Sequence, residues 1–419
     1  MSFTPYLELP FPVGSLTQRL SFCVFHFLSG SFFYDSVHWL AHHSQRSRFR
    51  VLRLLAKAHA IHHQYFDRNL RYNERFRSQN VKWHLPLELL CQMIGSTMSW
   101  TFCLLAFRGL ALDMAPDLIL VLFLQVARTA VVAWNSGHDS NHISYPRLPK
   151  DPFTFFVGPQ YHALHHIDPL NYFGSMTRLL DWWMGTAVSL RGRRVTMTGS
   201  SGALGQALAE QLRLEGVRSI SAPKFGIDWT YDDYSYFEST LQNTDVLILT
   251  HGSKNGKHDF EANCDSAVKI IEIFREYCKR RKLGLLPEVW YVGSEAELHG
   301  AWTSDMQTYT GSKRAFVRHA RAFYDEETFN YRHIVPAAFA SSMGPGLVSA
   351  RWAARVAMWW IRRGARYVPV TYTGLALVNF LRFKLGRRLA NQQGRKPQGS
   401  TSLEGPEPGG KPALSLRSL

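Results

Sequence analysis

The sequence is poor in cysteine: five residues among 419 (Cys23, Cys91, Cys103, Cys264 and Cys278), none in a Cys-x-x-Cys pair. That excludes a disulfide framework and a zinc site built on paired thiolates. Charge is sparse at 19%, yet 46% of the residues are hydrophobic, which excludes a disordered chain. Acid is the scarcer sign, with 32 Asp+Glu against 48 Lys+Arg and a net charge of +16. Between Thr328 and Leu403 there is no acid at all, against 12 Lys and Arg. No motif recurs at a fixed period, which excludes a solenoid. The first 19 residues are polar or broken by proline and lack the layout of a secretory signal.

Histidine is what abounds. Of 18, 13 fall in the first 166 residues. Composition changes near residue 190: before it the chain is aromatic and apolar, and after it short apolar strands alternate with helical segments. The reading is of two domains, 15–190 and 193–370. A Gly-, Pro- and Ser-rich tail at 390–419 is expected to be disordered.

The first domain carries runs of membrane length. Leu89 to Phe107 is 19 residues without charge, and Leu118 to Trp134 is 17 with Arg128 alone. Roughly 20 apolar residues span a bilayer core, so both are expected spans; the uncharged Leu20–Tyr34 segment is marginal. Ten Lys and Arg lie between Arg46 and Lys82 against two acids, which places that stretch on the cytoplasmic face. The two spans then form a hairpin turning at 108–116, with the residues before and after it on one side.

Four histidine boxes lie on that side: His38, His42 and His43; His59, His62 and His63; His138 and His142; and His162, His165 and His166. Residues three and four apart share a helical face, so each box aims two or three imidazoles at one spot. Neutral imidazole suits iron, zinc and copper. About ten clustered rings exceed one coordination sphere and favour two ions.

These boxes resemble the fatty-acid hydroxylase and sterol desaturase superfamily of integral-membrane, non-haem di-iron enzymes, over roughly residues 15–190. The resemblance implies two iron ions held by His38, His42, His59, His62, His63, His138, His142, His162, His165 and His166, with His43 competing with His42. The segment KWHLPLELL resembles the family's His-Pro-x-Glu stretch, but Leu85 separates His84 from Pro86, which leaves His84 a further candidate. Asp35, Asp139 and Asp168, one to three residues from boxed histidines, read equally as acceptors of the outer N–H of a ligand ring or as solvated loop carboxylates. The implied chemistry is O₂-dependent hydroxylation or desaturation of a sterol or fatty-acyl lipid. Its electrons come from an external donor, because the chain has no haem-binding His-Pro-Gly-Gly or Cys-x-x-Cys-His segment.

In the second domain, RRVTMTGSSGALG (193–205) runs from a strand through glycines into a helix, as a pyrophosphate cradle does. Downstream come DVLILTHG, Asn263, Ser294 in WYVGS, and Tyr309 and Lys313 in YTGSK. Together they resemble the short-chain dehydrogenase/reductase family, which implies a Rossmann-type, doubly wound parallel sheet. Carried over, Tyr309 is the general acid/base and Lys313 lowers its pKa. Ser294 holds the substrate oxygen, and Asn263 supports a proton relay. Gly199, Ser200, Gly202, Leu204 and Gly205 would cradle the dinucleotide. No acid ends the second strand and Lys224 lies near it, which favours NADP over NAD; Asp228 is placed near the adenine. Two departures from the family are Ala337 for its usual Gly and Thr-His-Gly (250–252) for Asn-Ala-Gly.

Trp352, Trp359 and Trp360 among arginines read as an interfacial helix on anionic lipid; beside two spans this favours lipid, with no nucleic acid partner. The expected whole is a membrane-bound lipid oxidoreductase: an all-α integral-membrane domain with a His-box di-metal site, fused to an NAD(P)-linked dehydrogenase. Alternatives are a long-chain aldehyde-processing enzyme and a catalytically silent lipid- or metal-binding scaffold.

Overall fold

The computed structural model describes residues 16–106, 115–281, 284–301 and 303–394, with 386–394 by backbone alone. Most of the expected hairpin turn (residues 108–114) and the tail from 395 lie outside the described residues.

The first half is helical. Helix α1 (Leu16–His43) takes in the marginal Leu20–Tyr34 segment and ends on the first histidine box. Helix α2 (Arg50–Tyr65) carries the second box. A π turn (Asn80–His84) leads into α3 (Leu85–Ala106), and α4 (Ala115–Trp134) follows. The Glu74–Ala106 stretch and α4 are long and apolar enough to cross a membrane. Helices α1 and α3 touch backbone to backbone where two glycines meet. A Cβ on Gly95 would stand 3.0 Å from Gly30 Cα, and one on Gly30 would stand 2.5 Å from Gln92 O. Small residues allow this approach in an apolar medium, and hydrogen bonds fasten it: Ser96 Oγ donates to His26 O (2.9 Å), and Gln125 of α4 donates to Ser96 Oγ (2.8 Å). Helix α5 (Pro159–Ile167) starts with Pro in its first turn and carries the fourth box; α6 (Leu179–Met184) ends on left-handed Gly185.

The second half is a parallel α/β Rossmann-like sheet. Strands β1 (Arg194–Thr198), β2 (Ser219–Ser221), β3 (Val246–Leu249), β4 (Glu288–Val292), β5 (Asn330–Pro336) and β8 (Tyr367–Val370) pair in the order β2-β1-β3-β4-β5-β8, all parallel. Two-residue strands β6 (Phe339–Ala340) and β7 (Val348–Ser349) form a separate pair. Alternate strand residues feed two cores, as the pleat requires. Val246 and Ile248 pack with α7 (Ala203–Leu214) and α10 (Ala350–Arg362). Leu247 and Leu249 pack with α8 (Ser266–Lys279) and α9 (Gln307–Asp325). The last helix, α11 (Leu375–Gly394), adds Ala376 and Phe383 to that second core. Because it continues to Gly394, it takes up the first five residues of the segment expected to be disordered.

The helical half grips the edge of the sheet where strands begin. Arg147 donates to Cys278 O and Lys279 O at the end of α8, and Lys150 to Tyr324 O at the end of α9. Ala187 N–H donates to Arg362 O at the end of α10. Beneath this seam Arg178 is buried in a close ion pair with Asp151 and lies 4.1 Å over the Tyr161 ring. Of the three tryptophans of α10, Trp352 and Trp360 pack on the core, and Trp359 alone is largely exposed, with Arg363 3.9 Å over its ring.

Candidate active sites

Nine imidazoles gather in two groups, His38, His42, His59, His63 and His165, and His62, His142, His162 and His166. Within each group the ligand-capable atoms lie within 4.8 Å of one another. Neighbouring Nε2 atoms stand 2.8–3.2 Å apart: 2.8 Å for His42–His59, 3.0 Å for His59–His63, 3.1 Å for His42–His63 and 3.2 Å for His162–His166.

Hydrogen bonding does not account for this arrangement. Each Nε2 has one lone pair or one proton, aimed in one direction, so the mutual triangle of His42, His59 and His63 cannot be closed by N–H···N bonds. His38 and His165 make the case sharper. The Nδ1–H of His38 donates to Phe173 O (3.2 Å) and that of His165 to Asn171 O (2.8 Å), which leaves bare lone pairs on two Nε2 atoms 2.9 Å apart. Burial holds His165 well below the usual imidazole range, so an extra proton does not bridge them. A cation bound at about 2.1 Å would put ligands at right angles ~3.0 Å apart. The donor set and its spacing therefore fit metal ions.

Not every expected residue joins. His138 follows α4 in a turn, exposed, with its ring 4.1 Å from that of Tyr72. His43 points out of the first box, on Trp39, which leaves His42 as that box's second member. His84 is buried and stacked on His62 at 4.1 Å, outside both groups. Among the carboxylates, Asp139 accepts from His142 Nδ1 at 2.6 Å. Asp168 acts one step removed, accepting from the Asn171 side chain, and Asp35 accepts from Ser175 N–H. The backbone carbonyls of Phe173 and Asn171, which orient His38 and His165, left no signal in the sequence.

A cavity of about 320 Å³ opens beside the second group, walled by His62, His142 and His162 and by Tyr34, Glu88 and Arg128. Glu88 accepts from Arg128 (2.9 Å) and Gln92 (3.1 Å).

The second site lies where strands end. Gly199 has φ +70° after β1, and a Cβ there would lie 2.4 Å from His251 N. A Cβ on Gly205 would lie 2.3 Å from Gly199 O, so the first turn of α7 packs hard against the loop. Ser200 and Leu204 sit in that loop and turn, and the helix N-terminus offers N–H groups to an anion. Lys224 follows β2 and is exposed; Asp228 accepts from its backbone N–H at 2.7 Å, so this carboxylate closes a turn.

Tyr309 and Ser294 share a side-chain hydrogen bond, and burial raises the Tyr309 phenol above its ordinary value. Four residues on, Lys313 is buried and donates to Val292 O (2.9 Å) and Tyr291 Oη (3.3 Å). Burial pushes its ammonium down to about 8, with Glu297 opposing. Asn263 sits in a π turn (Glu261–Asp265), buried; its side chain donates to Ser253 O and Ser312 Oγ, and its carbonyl accepts from Tyr291 (2.5 Å). Tyr291 thus joins Asn263 to Lys313, while Ser294 and Tyr309 form a second pair. Glu297 beneath them accepts from Ser294 N–H and contacts His333 at 2.9 Å. Tyr291 lies within WYVGS but carried no expected role, and Glu297 lay outside the motifs the sequence offered.

No protein-family model matches the chain. It is 26% identical over 380 residues to the monoglucosyldiacylglycerol epimerase of a Synechocystis species, covering 83% of this chain and 90% of that protein. A match of that length exceeds either half and takes in both. Among solved structures it is similar to a short-chain dehydrogenase from Burkholderia cenocepacia in complex with NADP (16% identity, 49% of this chain, 99% of that chain, TM-score 0.40). It is also similar to a short-chain dehydrogenase from Sphingobium yanoikuyae in complex with NADPH (13% identity, 50% of this chain, 99% of that chain, TM-score 0.39).

Proposed function

We propose that this chain is a membrane-bound lipid oxidoreductase with two sites. One is a di-iron site for O₂-dependent hydroxylation or desaturation of a membrane lipid; the other interconverts alcohol and carbonyl with NADP or NAD. The observation that carries the first site is the convergence of bare imidazole lone pairs, above all the His38–His165 pair. His38, His42, His59, His63 and His165 would hold one ion, and His62, His142, His162 and His166 the other. Bound iron supplies the one-electron chemistry by which O₂ attacks an unreactive C–H bond. The protein's part is to keep these rings neutral by burial, to fix tautomers through Phe173 O, Asn171 O and Asp139, and to present the lipid in the adjoining cavity.

At the second site a bound nicotinamide supplies the hydride acceptor or donor. Ser294 orients the reacting oxygen, and Tyr309 Oη exchanges its proton with that oxygen. Lys313 favours the phenolate by its charge. Lys224 supports NADP over NAD. The two apolar helices, with Trp183 and Trp359 exposed nearby, fit attachment to an anionic bilayer. The basic stretch at 46–82 supports a cytoplasmic setting for both sites, where an external electron donor would reach them.

A second reading, favoured by the relative matched over 90% of its length, is inversion at a hydroxyl-bearing carbon of a glycolipid, using the same Tyr309. Elemental analysis and O₂ uptake decide between them. Two irons per chain and reductant-dependent O₂ uptake with added lipid are expected, and less than one iron overturns the oxygenase reading. An isomeric product without O₂ uptake favours the second. Shortened hydrocarbon from an aldehyde would identify the aldehyde-processing alternative, and no turnover of any kind the silent scaffold.

A further inference from the structure

We infer that the cavity beside the second histidine group receives the hydroxylated head of a membrane lipid, a polyol such as a sugar, and not a bare stretch of hydrocarbon. The inference deepens the reading of the helical half as lipid-acting and rests on it.

Depth is the first argument. The cavity takes Phe27, Ser31 and Tyr34 from the middle of α1, Glu88 and Gln92 from the first two turns of α3, and Arg128 from the second half of α4. At 1.5 Å per residue, His84 to Gln92 spans only about 12 Å of helix. Beyond it α3 runs uncharged to Ala106. The cavity thus lies in the histidine-box half of the helices and reaches no further along α3 than Gln92.

Chemistry is the second. Glu88 is held by Arg128 at 2.9 Å and Gln92 at 3.1 Å, a charged and amide-bearing wall. His84 also lines the cavity at 2% exposure, and its Nδ1 has no partner among the described residues. A hydrocarbon sealed in this space would leave His84 Nδ1 without water or a partner, which is unfavourable. A polyol replaces water with its own donors and acceptors. The Phe27 and Phe156 rings complete the wall and suit the C–H faces of a sugar ring. The volume of about 320 Å³ is of small-molecule size.

The test uses the full-length chain in nanodiscs, with binding read by competition against a fluorescent monohexosyl diacylglycerol. The competitors are unlabelled monohexosyl diacylglycerol, diacylglycerol with the same chains, and cholesterol. Hexosyl lipid should compete at least about tenfold better than either of the others, because a site built to hydrogen-bond hydroxyls rejects ligands lacking them. Tyr34→Phe and Gln92→Leu, with thermal midpoints measured to show that they fold, should each weaken the hexosyl lipid and leave diacylglycerol unchanged. Diacylglycerol or cholesterol competing as well as the hexosyl lipid overturns the inference, as do two folded variants that both bind like the parent. Iron is measured on the same samples, so loss of the di-iron reading would show separately from the lipid ranking.

Discussion

The Nε2 atoms of His38 and His165 lie 2.9 Å apart while each ring gives its other N–H to a backbone carbonyl. Two lone pairs thus face each other across a gap that neither can bridge with hydrogen, and a cation relieves the repulsion.

Replacing one of these rings is the direct check. His165→Ala should lower the iron content measured by elemental analysis, whereas His138→Ala, on the exposed ring beside Tyr72, should leave it unchanged. Chelation should also lower the thermal midpoint of the parent, because an ion that binds only the folded state stabilises it by mass action.

The buried Lys313 gives a pH dependence. Its folded value is about 8, below the free value of roughly 10.4, so between the two the unfolded chain binds more protons and stability rises with pH. Below about 8 the burial penalty is present in full. Activity runs the other way: if Lys313 assists Tyr309 as proposed, NADP-linked kcat/KM should fall on the alkaline side with a midpoint near 8 as its ammonium is lost. A pH–rate profile flat through that region would remove Lys313 from this role.

Gly199→Ala tests the dinucleotide cradle. Its φ of +70° and a Cβ 2.4 Å from His251 N leave no room for a side chain. Destabilisation of about 1–3 kcal/mol by denaturant titration is expected, with NADP binding lost by calorimetry.

Lys224→Glu tests cofactor choice. Reversing this exposed charge should raise the KM for NADP by at least about tenfold and spare NAD, since a 2′-phosphate loses its cation and meets an anion. An equal effect on both cofactors would place Lys224 away from the ribose.

Helical spacing made most of the histidine grouping legible, because residues three and four apart share a face whatever the surrounding fold. Spacing failed at His138, where the box pattern runs off the end of α4 into a turn and the ring is carried to Tyr72. It also could not choose between His42 and His43, a choice set by the packing of His43 on Trp39. The glycine pattern marked the β1–α7 turn because only glycine adopts its backbone. Tyr291 and Glu297 stayed hidden: on β4 and in the short turn after Ser294 they read as ordinary strand and helix residues, and only the folded sheet brings them under Lys313 and Ser294. Residues 390–394, expected to be disordered, continue α11, which Phe383 anchors in the core.

The seam between the halves runs along the edge where strands begin, and the Gly199–Tyr309 site lies at the edge where they end. Strands of four to seven residues, rising ~3.3 Å per residue, stand between them over roughly 13–23 Å. The histidine groups belong to the half that meets the edge where strands begin, so the sheet stands between that seam and the Gly199–Tyr309 site. On the proposed two-site reading, a lipid altered at the histidines would leave that site before meeting the nicotinamide. Any shared pathway would run as a relay of separate encounters, open to interception by a competing enzyme.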